Sequence, residues 1–377
     1  MLTTPAPPAV SIGPKDGPAK LKKPLARRAF PDRSQQVRRV VQFAFLALNV
    51  WIAIEFSMWV RYFESQGQTR YIERPAGVDG WLPIAGLMNL KYFLTTHRFP
   101  LVHPAAMVLA AVFLLSSLLL KKSFCSWLCP VGTVSEYLWK LGRRLFRRNL
   151  VVPRWLDLPL RSLKYVLMAF FLYIVASMSA EALNDFMLAP FGIIADVKML
   201  NFFRNLSFIG IAVLGSLVIL SVLIRNFWCR FLCPYGALMG LVSTLSPVRV
   251  RRDAQACIDC GKCSKACPSS LPVDRLLQIR SVECTSCMEC VAACPAENAL
   301  QMALPRRGPA SAADAPAARW RGHTVHPLTV AGALAVLFLA LVAAARATGH
   351  WQTDIPRDVY MQMVPHADDY GHQESLN

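Results

Sequence analysis

Eight of the twelve cysteines fall into two runs of identical spacing in the C-terminal third of the chain. In each run three cysteines stand two residues apart, and a fourth follows after three more residues with a proline behind it. The runs are Cys257, Cys260, Cys263, Cys267 and Cys284, Cys287, Cys290, Cys294. This is the spacing of thiolate ligands to two [4Fe–4S] clusters, in which the fourth cysteine of each run binds the other cluster. Zinc also uses paired cysteines, but it takes four ligands and leaves the three-in-a-row runs unexplained.

The crossed pattern predicts a definite set of ligands for each cluster. Cluster one is predicted on Cys257, Cys260, Cys263 and Cys294. Cluster two is predicted on Cys284, Cys287, Cys290 and Cys267. Free thiols of this kind also indicate a reducing compartment, in which disulfides do not persist.

The other four cysteines form two copies of a second motif, Cys-x3-Cys-Pro-x-Gly. They are Cys125 with Cys129, and Cys229 with Cys233, and together they are called the four-cysteine site below. A spacing of four places both thiols of a pair on one helical face, and the proline predicts that the helix ends or kinks there. Two such pairs meeting at a membrane surface would present enough thiolates for a third Fe–S cluster. Copper is the alternative occupant.

The remainder of the chain has the composition of a membrane protein. It is 54% hydrophobic and only 17% charged, whereas soluble domains average about 25% charged residues. Five apolar stretches approach the roughly 20 residues that a membrane-spanning helix needs. They lie near Val40–Val60, Leu101–Leu120, Leu163–Ser179, Leu206–Ile224 and Pro327–Ala345.

The two halves of the membrane part resemble each other upstream of the cysteines as well. A proline precedes a lysine by eight residues in Pro83 to Lys91 and again in Pro190 to Lys198. Both segments are apolar but too short to span, and they are interpreted as re-entrant or interfacial half-helices. The sequence therefore predicts an internal parallel repeat, in which each half ends in Cys-x3-Cys-Pro.

Four ionisable residues of these segments are candidates for a quinol or proton site. Glu55 lies within the first span, where a charge is a functional hypothesis by default. Lys91, Asp196 and Lys198 are the other three. The alternatives are an interfacial carboxylate and lysines that anchor lipid headgroups.

Positive charge is concentrated beside the apolar stretches, which fixes an expected orientation. The formal net charge is +18, and 19 of the 41 lysines and arginines precede the first span or lie between residues 121 and 164. By the positive-inside rule these regions and the eight-cysteine part face the cytoplasm of a bacterial inner membrane, with the tail outside. Nucleic-acid binding is excluded as the reason for the charge, because the cations flank the membrane segments.

The tail carries a weak set of soft metal ligands, Met361, Met363 and His366. Such residues suit copper. The alternative is a short amphipathic segment that lies on the membrane or docks a partner.

These signals predict a mainly α fold, in which a polytopic helical membrane domain with about five spans carries an inserted α+β module. The predicted divisions are a disordered basic arm (1–39), a four-helix membrane domain of two repeats (40–248), a 2[4Fe–4S] ferredoxin module (249–304), a linker (305–326), a last span (327–345) and an outer tail (346–377).

Two Cys-x3-Cys-Pro motifs ahead of two Cys-x2-Cys-x2-Cys-x3-Cys-Pro runs resemble the membrane polyferredoxins of the NapH, NosR and CcoG (FixG) types. The resemblance covers roughly residues 40–305. It implies an electron-transfer protein that works between the quinone pool and a ferredoxin-type or respiratory redox partner. The alternative is a copper or metal reductase, or an assembly factor for a respiratory oxidase or copper enzyme. No Ser/Thr-Gly-Ala-Thr run is present, so the flavin-carrying domain of the NosR type is not expected.

Overall fold

Helices dominate the computed structural model, which describes residues 27–28, 32–304 and 323–371. Most of the predicted basic arm and most of the predicted linker lie outside these residues. The helices are α1 Ser34–Glu64, α2 Pro83–Thr96, α3 Pro104–Leu120, α4 Phe124–Trp127, α5 Pro130–Phe146, α6 Arg154–Ser177, α7 Ala180–Leu188, α8 Pro190–Ile193, α9 Ala195–Arg204, α10 Phe208–Leu223, α11 Pro234–Val242, α12 Lys262–Ala266, α13 Glu289–Ala292, α14 Pro327–Ala347 and α15 Arg357–Met363. The strands are β1 Arg249–Arg252 and β2 Leu300–Ala303.

Among the described residues, α1, α6 and α14 are long and apolar enough to cross a membrane. They match three of the five predicted spans and indicate association with a membrane. The other two predicted spans are shorter helices, with 17 residues in α3 and 16 in α10. Helix α10 follows α9 across a bend of 84°, and this pair is long enough only when it is taken together. By length and composition, three to four of the described segments qualify as membrane spans, so the predicted number of five is not confirmed.

Proline sets the first turn of many of these helices. It stands at the start of α2, α3, α5, α8, α11 and α14. The first N–H groups of a helix have no partner within it, so proline's missing N–H costs nothing there and its fixed φ favours the helix. The repeated prolines of the sequence thus begin new helices at both the half-helix segments and the cysteine motifs.

The ferredoxin module has the predicted α+β character. Strands β1 and β2 pair antiparallel, with Arg249 opposite Ala303, and α12 and α13 follow within the two cysteine runs. The predicted linker is shorter than 305–326, because its last residues continue the sheet. The N–H of Val325 donates to the Met302 carbonyl at 2.8 Å, and that of Leu304 donates to the His323 carbonyl at 3.1 Å.

Helix α1 connects the two ends of the molecule. It has 31 residues, which makes it about 45 Å long at 1.5 Å per residue. It begins at Ser34, so the last part of the predicted arm is helical. Near this end Gln35 donates to the Cys287 carbonyl at 2.9 Å, which ties α1 to the ferredoxin module.

The other end of α1 packs into a second apolar cluster, called the distal cap here. It joins Phe56, Trp59, Val60 and Phe63 of α1 to buried residues of α2, α7, α8 and α9. The tail belongs to this cluster through Tyr360 of α15, whose ring meets that of Trp59 edge-on at 5.0 Å. The predicted outer tail is therefore a packed part of the fold over its described residues.

Candidate functional site

One cavity of about 650 Å³ is lined by all four cysteines of the four-cysteine site. The two motifs are a hundred residues apart in the chain, and the fold brings them together. The lining also includes Glu55 of α1, Phe338 of α14 and Cys287 of the ferredoxin module. The cavity therefore extends from the membrane helices to the cysteine run of cluster two.

The two motifs have the same local construction around their second cysteine. Cys129 caps α5 and its sulfur accepts from the Gly132 N–H at 3.4 Å; Cys233 caps α11 and its sulfur accepts from Gly236 at 3.2 Å. A β-carbon at Gly132 would stand 2.3 Å from the Cys125 carbonyl oxygen. The glycine of the first motif is therefore required by a close backbone approach.

The first cysteine of each pair does not share a regular helix with the second, as the spacing predicted. Cys125 lies in α4, which ends at Trp127, and Cys229 lies in a π-helical turn over Trp228–Leu232. The proline after the second cysteine starts the next helix instead of ending a long one. Both cysteines of each pair nevertheless line the same cavity.

Three thiols of the four-cysteine site, those of Cys125, Cys129 and Cys229, are disfavoured as free anions. Burial raises the pKa of Cys125 to about 11 and that of Cys129 to about 12. Burial also raises the pKa of Cys229, and the neighbouring thiol of Cys233 adds to the effect. Thiols that bind a metal are deprotonated outright, so a cationic centre suits this site and four unaccompanied thiolates do not.

The eight cysteines of the ferredoxin module separate into two groups in space. Cys257 and Cys294 pack together with Ala296 and Ala299, and the Cys263 thiol lies within electrostatic range of both cysteines. Cys260 is exposed and interacts with Cys294. The cysteines Cys267, Cys284, Cys287 and Cys290 line one small apolar cavity. Each group thus includes the fourth cysteine of the other run, which is the arrangement that crossed ligation requires; the ligation itself stays a prediction.

The backbone around both runs is shaped to receive sulfur ligands of a cluster. Asp259 and Ser286, each just before the second cysteine of its run, have left-handed φ of 54° and 53°; Gly261 and Met288, just after it, have 67° and 58°. Left-handed residues among right-handed ones form concavities of N–H groups that bind anions, as at many Fe–S sites. Backbone N–H groups also lower the pKa of Cys263, Cys267, Cys287 and Cys294, although burial keeps each raised. The residues present therefore fit two cubane clusters.

The ferredoxin module lies directly against the four-cysteine site. Ser126 of α4 donates to the Thr285 carbonyl at 2.6 Å, and the Trp127 indole donates to the Ser286 carbonyl at 3.2 Å. On the second motif, a β-carbon at Gly240 of α11 would stand 2.8 Å from the Val282 carbonyl. Both motifs thus contact the loop that carries the cluster-two run.

Buried ion pairs reinforce this junction, and the cysteine motifs do not predict them. Arg38 makes two 2.6 Å bonds to the Glu136 carboxylate and one of 3.0 Å to Glu289 of α13. Lys164 of α6 bonds both carboxylate oxygens of Glu283, at 2.7 and 2.6 Å. By sequence, Arg38 and Lys164 were counted among the membrane-flanking charges. The signal that could have identified Arg38 is a cation within a helical apolar pattern.

The four predicted quinol-site residues do not form one pocket. Of the four, only Glu55 lines the 650 Å³ cavity. Lys91 donates to the carbonyls of Val175, Ala176 and Met178 at the end of α6, at 2.9, 2.9 and 2.5 Å. Lys198 lies over the Phe191 ring at 5.5 Å. Lysines near helix ends cap free carbonyl groups, and this is the role that the structure gives to Lys91.

Asp196 is buried in a charged cluster next to the distal cap. Arg74 donates to Asp196 at 2.6 Å and forms a short bond with Asp79, which also bonds His103 at 2.9 Å. Ligand atoms of Asp79, His103 and Asp196 lie within 4.8 Å of one another. The Arg74 guanidinium supplies the positive charge between the two carboxylates, so the described residues form an ion-pair network here.

The soft ligands of the tail do not converge. Met361 and Met363 pack against the distal cap, where Met361 lies close to the backbone at Gly67. His366 is exposed and its nearest acid is Asp369 at 3.4 Å. The described tail uses the two methionines for packing within the fold, whereas His366 stays exposed, and a copper site in the tail stays a prediction.

Comparison with known proteins places these cysteines in recognised domains. The family model described as a 4Fe–4S binding domain matches residues 102–149 and again 206–252, one match over each Cys-x3-Cys-Pro motif. A 4Fe–4S dicluster domain matches residues 249–302. The Escherichia coli K12 protein named "Putative electron transport protein YccM" is 49% identical over 335 residues, which cover 89% of this chain and 91% of that protein. The chain belongs to the membrane polyferredoxin family.

Other polyferredoxin relatives match over shorter stretches. The methylamine utilization ferredoxin-type protein MauN of Paracoccus denitrificans is 30% identical over 196 residues, 50% of this chain and 63% of that protein. The regulatory protein NosR of Pseudomonas aeruginosa is 29% identical over 163 residues, 41% of this chain but 21% of that protein. No solved structure matches the chain. The family and the domains make this polyferredoxin an iron–sulfur protein of electron transfer.

Proposed function

We propose that the protein relays electrons between the membrane quinone pool and a redox partner, with the four-cysteine site holding a third cluster. The observation that carries the proposal is the 650 Å³ cavity, which joins Glu55 of a candidate span to the four cysteines and to Cys287. Its volume lies within the range of about 300–1,000 Å³ that small-molecule sites occupy. An apolar quinone ring fits its largely aliphatic and aromatic lining.

In quinol oxidation, carboxylates of the cavity would accept the protons, and the cysteine sites would accept the electrons. Oxidation of a quinol to a quinone releases two electrons and two protons. Glu55, half-buried on the cavity wall, is positioned to accept one proton, and Glu73 at the exposed rim leads the other to water. Phe338 and Val342 of α14 exclude water from the middle of the cavity. The reverse sequence reduces a quinone with the same groups.

The cysteines supply a short path away from the cavity. Bound [4Fe–4S] clusters would each accept and release electrons at potentials that the surrounding charge and hydrogen bonds set. The four-cysteine site adjoins the cluster-two run through α4 and α11, and Cys290 of that run lies within electrostatic range of Cys263 of cluster one. The exposed Cys260 brings cluster one to the surface, where a partner protein can exchange electrons.

We further propose a multi-pass location in the bacterial inner membrane with the ferredoxin module in the cytoplasm. Four exposed arginines stand at the end of α5 and just after it, Arg143, Arg144, Arg147 and Arg148. Arg143 and Arg144 share a cavity lining with Ala266 and Glu289 of the ferredoxin module. Cations near span ends face the cytoplasm in most membrane proteins. The distal cap and the described tail then face outward.

Metal and sulfide content of the anaerobically purified protein tests the third cluster. Twelve irons per chain are expected, about four for each cubane, and Cys125→Ser with Cys229→Ser should lower the count to eight. A wild-type count of eight, or copper in place of the missing iron, would overturn the third cluster and favour the metal-handling alternative.

A second experiment tests the quinone half independently. Addition of a water-soluble quinol analogue to oxidised protein should reduce the clusters, as followed by EPR and visible absorption. Glu55→Gln should slow the reaction at least about tenfold if proton acceptance limits it, whereas Lys198→Met, outside the cavity lining, should not. A protein with twelve irons that never responds to the quinol would refute the quinone partner and leave electron transfer intact.

A further inference from the structure

Lys121 has an ammonium group that is buried without a hydrogen-bond partner in the described part of the chain and an unfavourable backbone conformation, neither of which is usual for a lysine on a protein surface. Its side chain is fully buried, and its ammonium nitrogen has no hydrogen-bond partner among the described residues. Its backbone has φ 59° and ψ −168°, a left-handed conformation that glycine adopts far more readily. The backbone N–H of Lys121 donates to Ser246 Oγ at 2.9 Å. A buried charge without a partner is strongly disfavoured, so the fold keeps an anion site for it.

The first cysteine of the cluster-two run, Cys284, lies within electrostatic range of the buried Lys121. Burial lowers the pKa of Lys121, and the Cys284 thiol is the neighbour that opposes this by favouring the charged amine. Arg249 and Lys122 are the other charges nearby, and both are positive. The described residues thus offer Lys121 no carboxylate, and the missing negative charge would come from the cysteine ligands themselves.

Lys122 faces the other way, into the four-cysteine site. It is 3% exposed and lines the 650 Å³ cavity. The position that a β-carbon would take at Gly236 lies 3.7 Å from the Lys122 nitrogen and 3.4 Å from the Cys233 sulfur. These two atoms are therefore no more than about 7 Å apart. After burial, Lys122 is the strongest influence on the Cys125 thiol and favours its anion.

The remaining charges at this junction largely neutralise each other. Lys164 and Glu283 form a bidentate pair, and Tyr165 bonds the same carboxylate at 3.0 Å. Lys122 also lies within electrostatic range of Glu283, which carries one charge for two neighbouring lysines. An excess of positive charge therefore remains between the two cysteine groups.

We propose that Lys121 and Lys122 are paired counter-charges that hold two neighbouring clusters at raised reduction potentials. Lys121 acts on cluster two and Lys122 acts on the four-cysteine site; the Lys122 half rests on the third cluster proposed above. Reduction adds one negative charge to a cluster, and a fixed cation stabilises the reduced form more than the oxidised form. Net charge is one of the properties that set cluster potentials. The two lysines make adjacent sites easier to reduce, which favours electron passage between them.

Redox titration followed by EPR on the intact, anaerobically purified protein tests this proposal. Lys121→Met should lower the reduced-to-oxidised ratio of cluster two at a fixed ambient potential about tenfold, which is 59 mV for a one-electron couple. Lys122→Met should do the same to the four-cysteine site. Each substitution should move its own site more than the other, and Lys122→Arg should restore the wild-type value. Lys198→Met, distant from the clusters, is the control and should change neither.

A second variant at Lys121 distinguishes an effect on folding from an effect on the reduction potential. Lys121→Gly relieves the left-handed backbone and still removes the charge, so it should retain iron and show the same downward shift. Unchanged potentials in iron-replete Lys121→Gly and Lys122→Met would overturn the proposal. Loss of iron from both Lys121→Met and Lys121→Gly would also overturn it, in favour of a purely structural lysine. A wild-type count of eight irons would remove the third cluster and the Lys122 half with it, while the Lys121 measurement on cluster two would still stand or fall by itself.

Discussion

The Arg38–Glu136 pair should be among the most stabilising interactions at the junction between α1, α5 and the ferredoxin module. Burial alone would raise the pKa of Glu136, yet the hydrogen bonds and charge of Arg38, helped by Lys140, lower it from 4.5 to about 2. At about 1.4 kcal/mol per pKa unit this corresponds to roughly 3 kcal/mol of stabilisation of the ionised carboxylate. We therefore expect Glu136→Gln to lower the free energy of unfolding by about 3 kcal/mol, since it leaves Arg38 buried without its partner.

Unfolding in detergent, followed by fluorescence of Trp127 and Trp139, measures this change. A double-mutant cycle sharpens it: Arg38→Met/Glu136→Leu removes both charges and should be more stable than Glu136→Gln, because two apolar groups leave no unpaired charge. The folded pKa of Glu136 is depressed, so its contribution is complete above 4.5 and is lost as pH falls toward 2. The difference between wild type and Glu136→Gln should thus stay constant between pH 6 and 8.

Two results would refute this reasoning. One is a Glu136→Gln protein within about 0.5 kcal/mol of wild type, the range of ordinary surface substitutions. The other is an Arg38→Met/Glu136→Leu protein whose loss of stability relative to wild type equals the sum of the losses of Arg38→Met and Glu136→Leu, which would mean that the two residues act independently.

Three further outcomes follow from the site and the distal cap. Gly132→Ala should cost about 1–3 kcal/mol of unfolding free energy through overpacking, whereas Gly236→Ala, whose β-carbon has ordinary contacts, should cost much less; thermal unfolding compares them. Burial lowers the pKa of His103, but Asp79 raises it above 6.5. The stability that this pair contributes should therefore be present below pH 6.5 and decline as pH rises through the folded pKa. The melting temperatures of wild type and His103→Gln should converge at high pH. Lys91→Met should cost about 1–3 kcal/mol, because it leaves carbonyl groups of α6 unpaired, and Lys91→Arg should recover part of this.

Each of these has a clear contrary result. Equal losses for the two glycine variants would mean that the backbone at Cys125 yields easily. A wild-type stability that rises with pH relative to His103→Gln would show that the imidazole is neutral in the folded protein. Unchanged melting of Lys91→Met would assign that lysine to ligand or lipid contact instead of helix capping.

The sequence predicted the chemistry of the protein better than its packing. Cysteine spacing carries its own geometry, so the two groups of four could be proposed from the Cys-Pro runs alone. Apolar stretches marked five helices, but they did not show that α3 has 17 residues, that α10 has 16, or that α9 meets α10 at 84°. Spacing also suggested one helix for Cys125 and Cys129, but α4 ends at Trp127 and the next helix begins at Pro130.

Charged residues were the least predictable part of the site. Lys91, Asp196 and Lys198 looked alike in two aligned segments, yet they cap a helix, join a buried ion-pair network and cover an aromatic ring. Arg38 and Lys121 were counted by their sign near membrane segments, although both are buried. The partner of a buried charge comes from a distant part of the chain, so local sequence does not specify it.

The insertion of the ferredoxin module between membrane helices limits how it can exchange electrons. Its chain enters from α11 and, after β2, is pinned again where Val325 joins the sheet, while Gln35 of α1 holds the cluster-two run. Because the module is attached at three places, it cannot diffuse as a soluble electron carrier does. Under the proposed function, a redox partner would therefore have to come to the module, and Cys260 is the exposed cysteine nearest to such a partner's reach on cluster one.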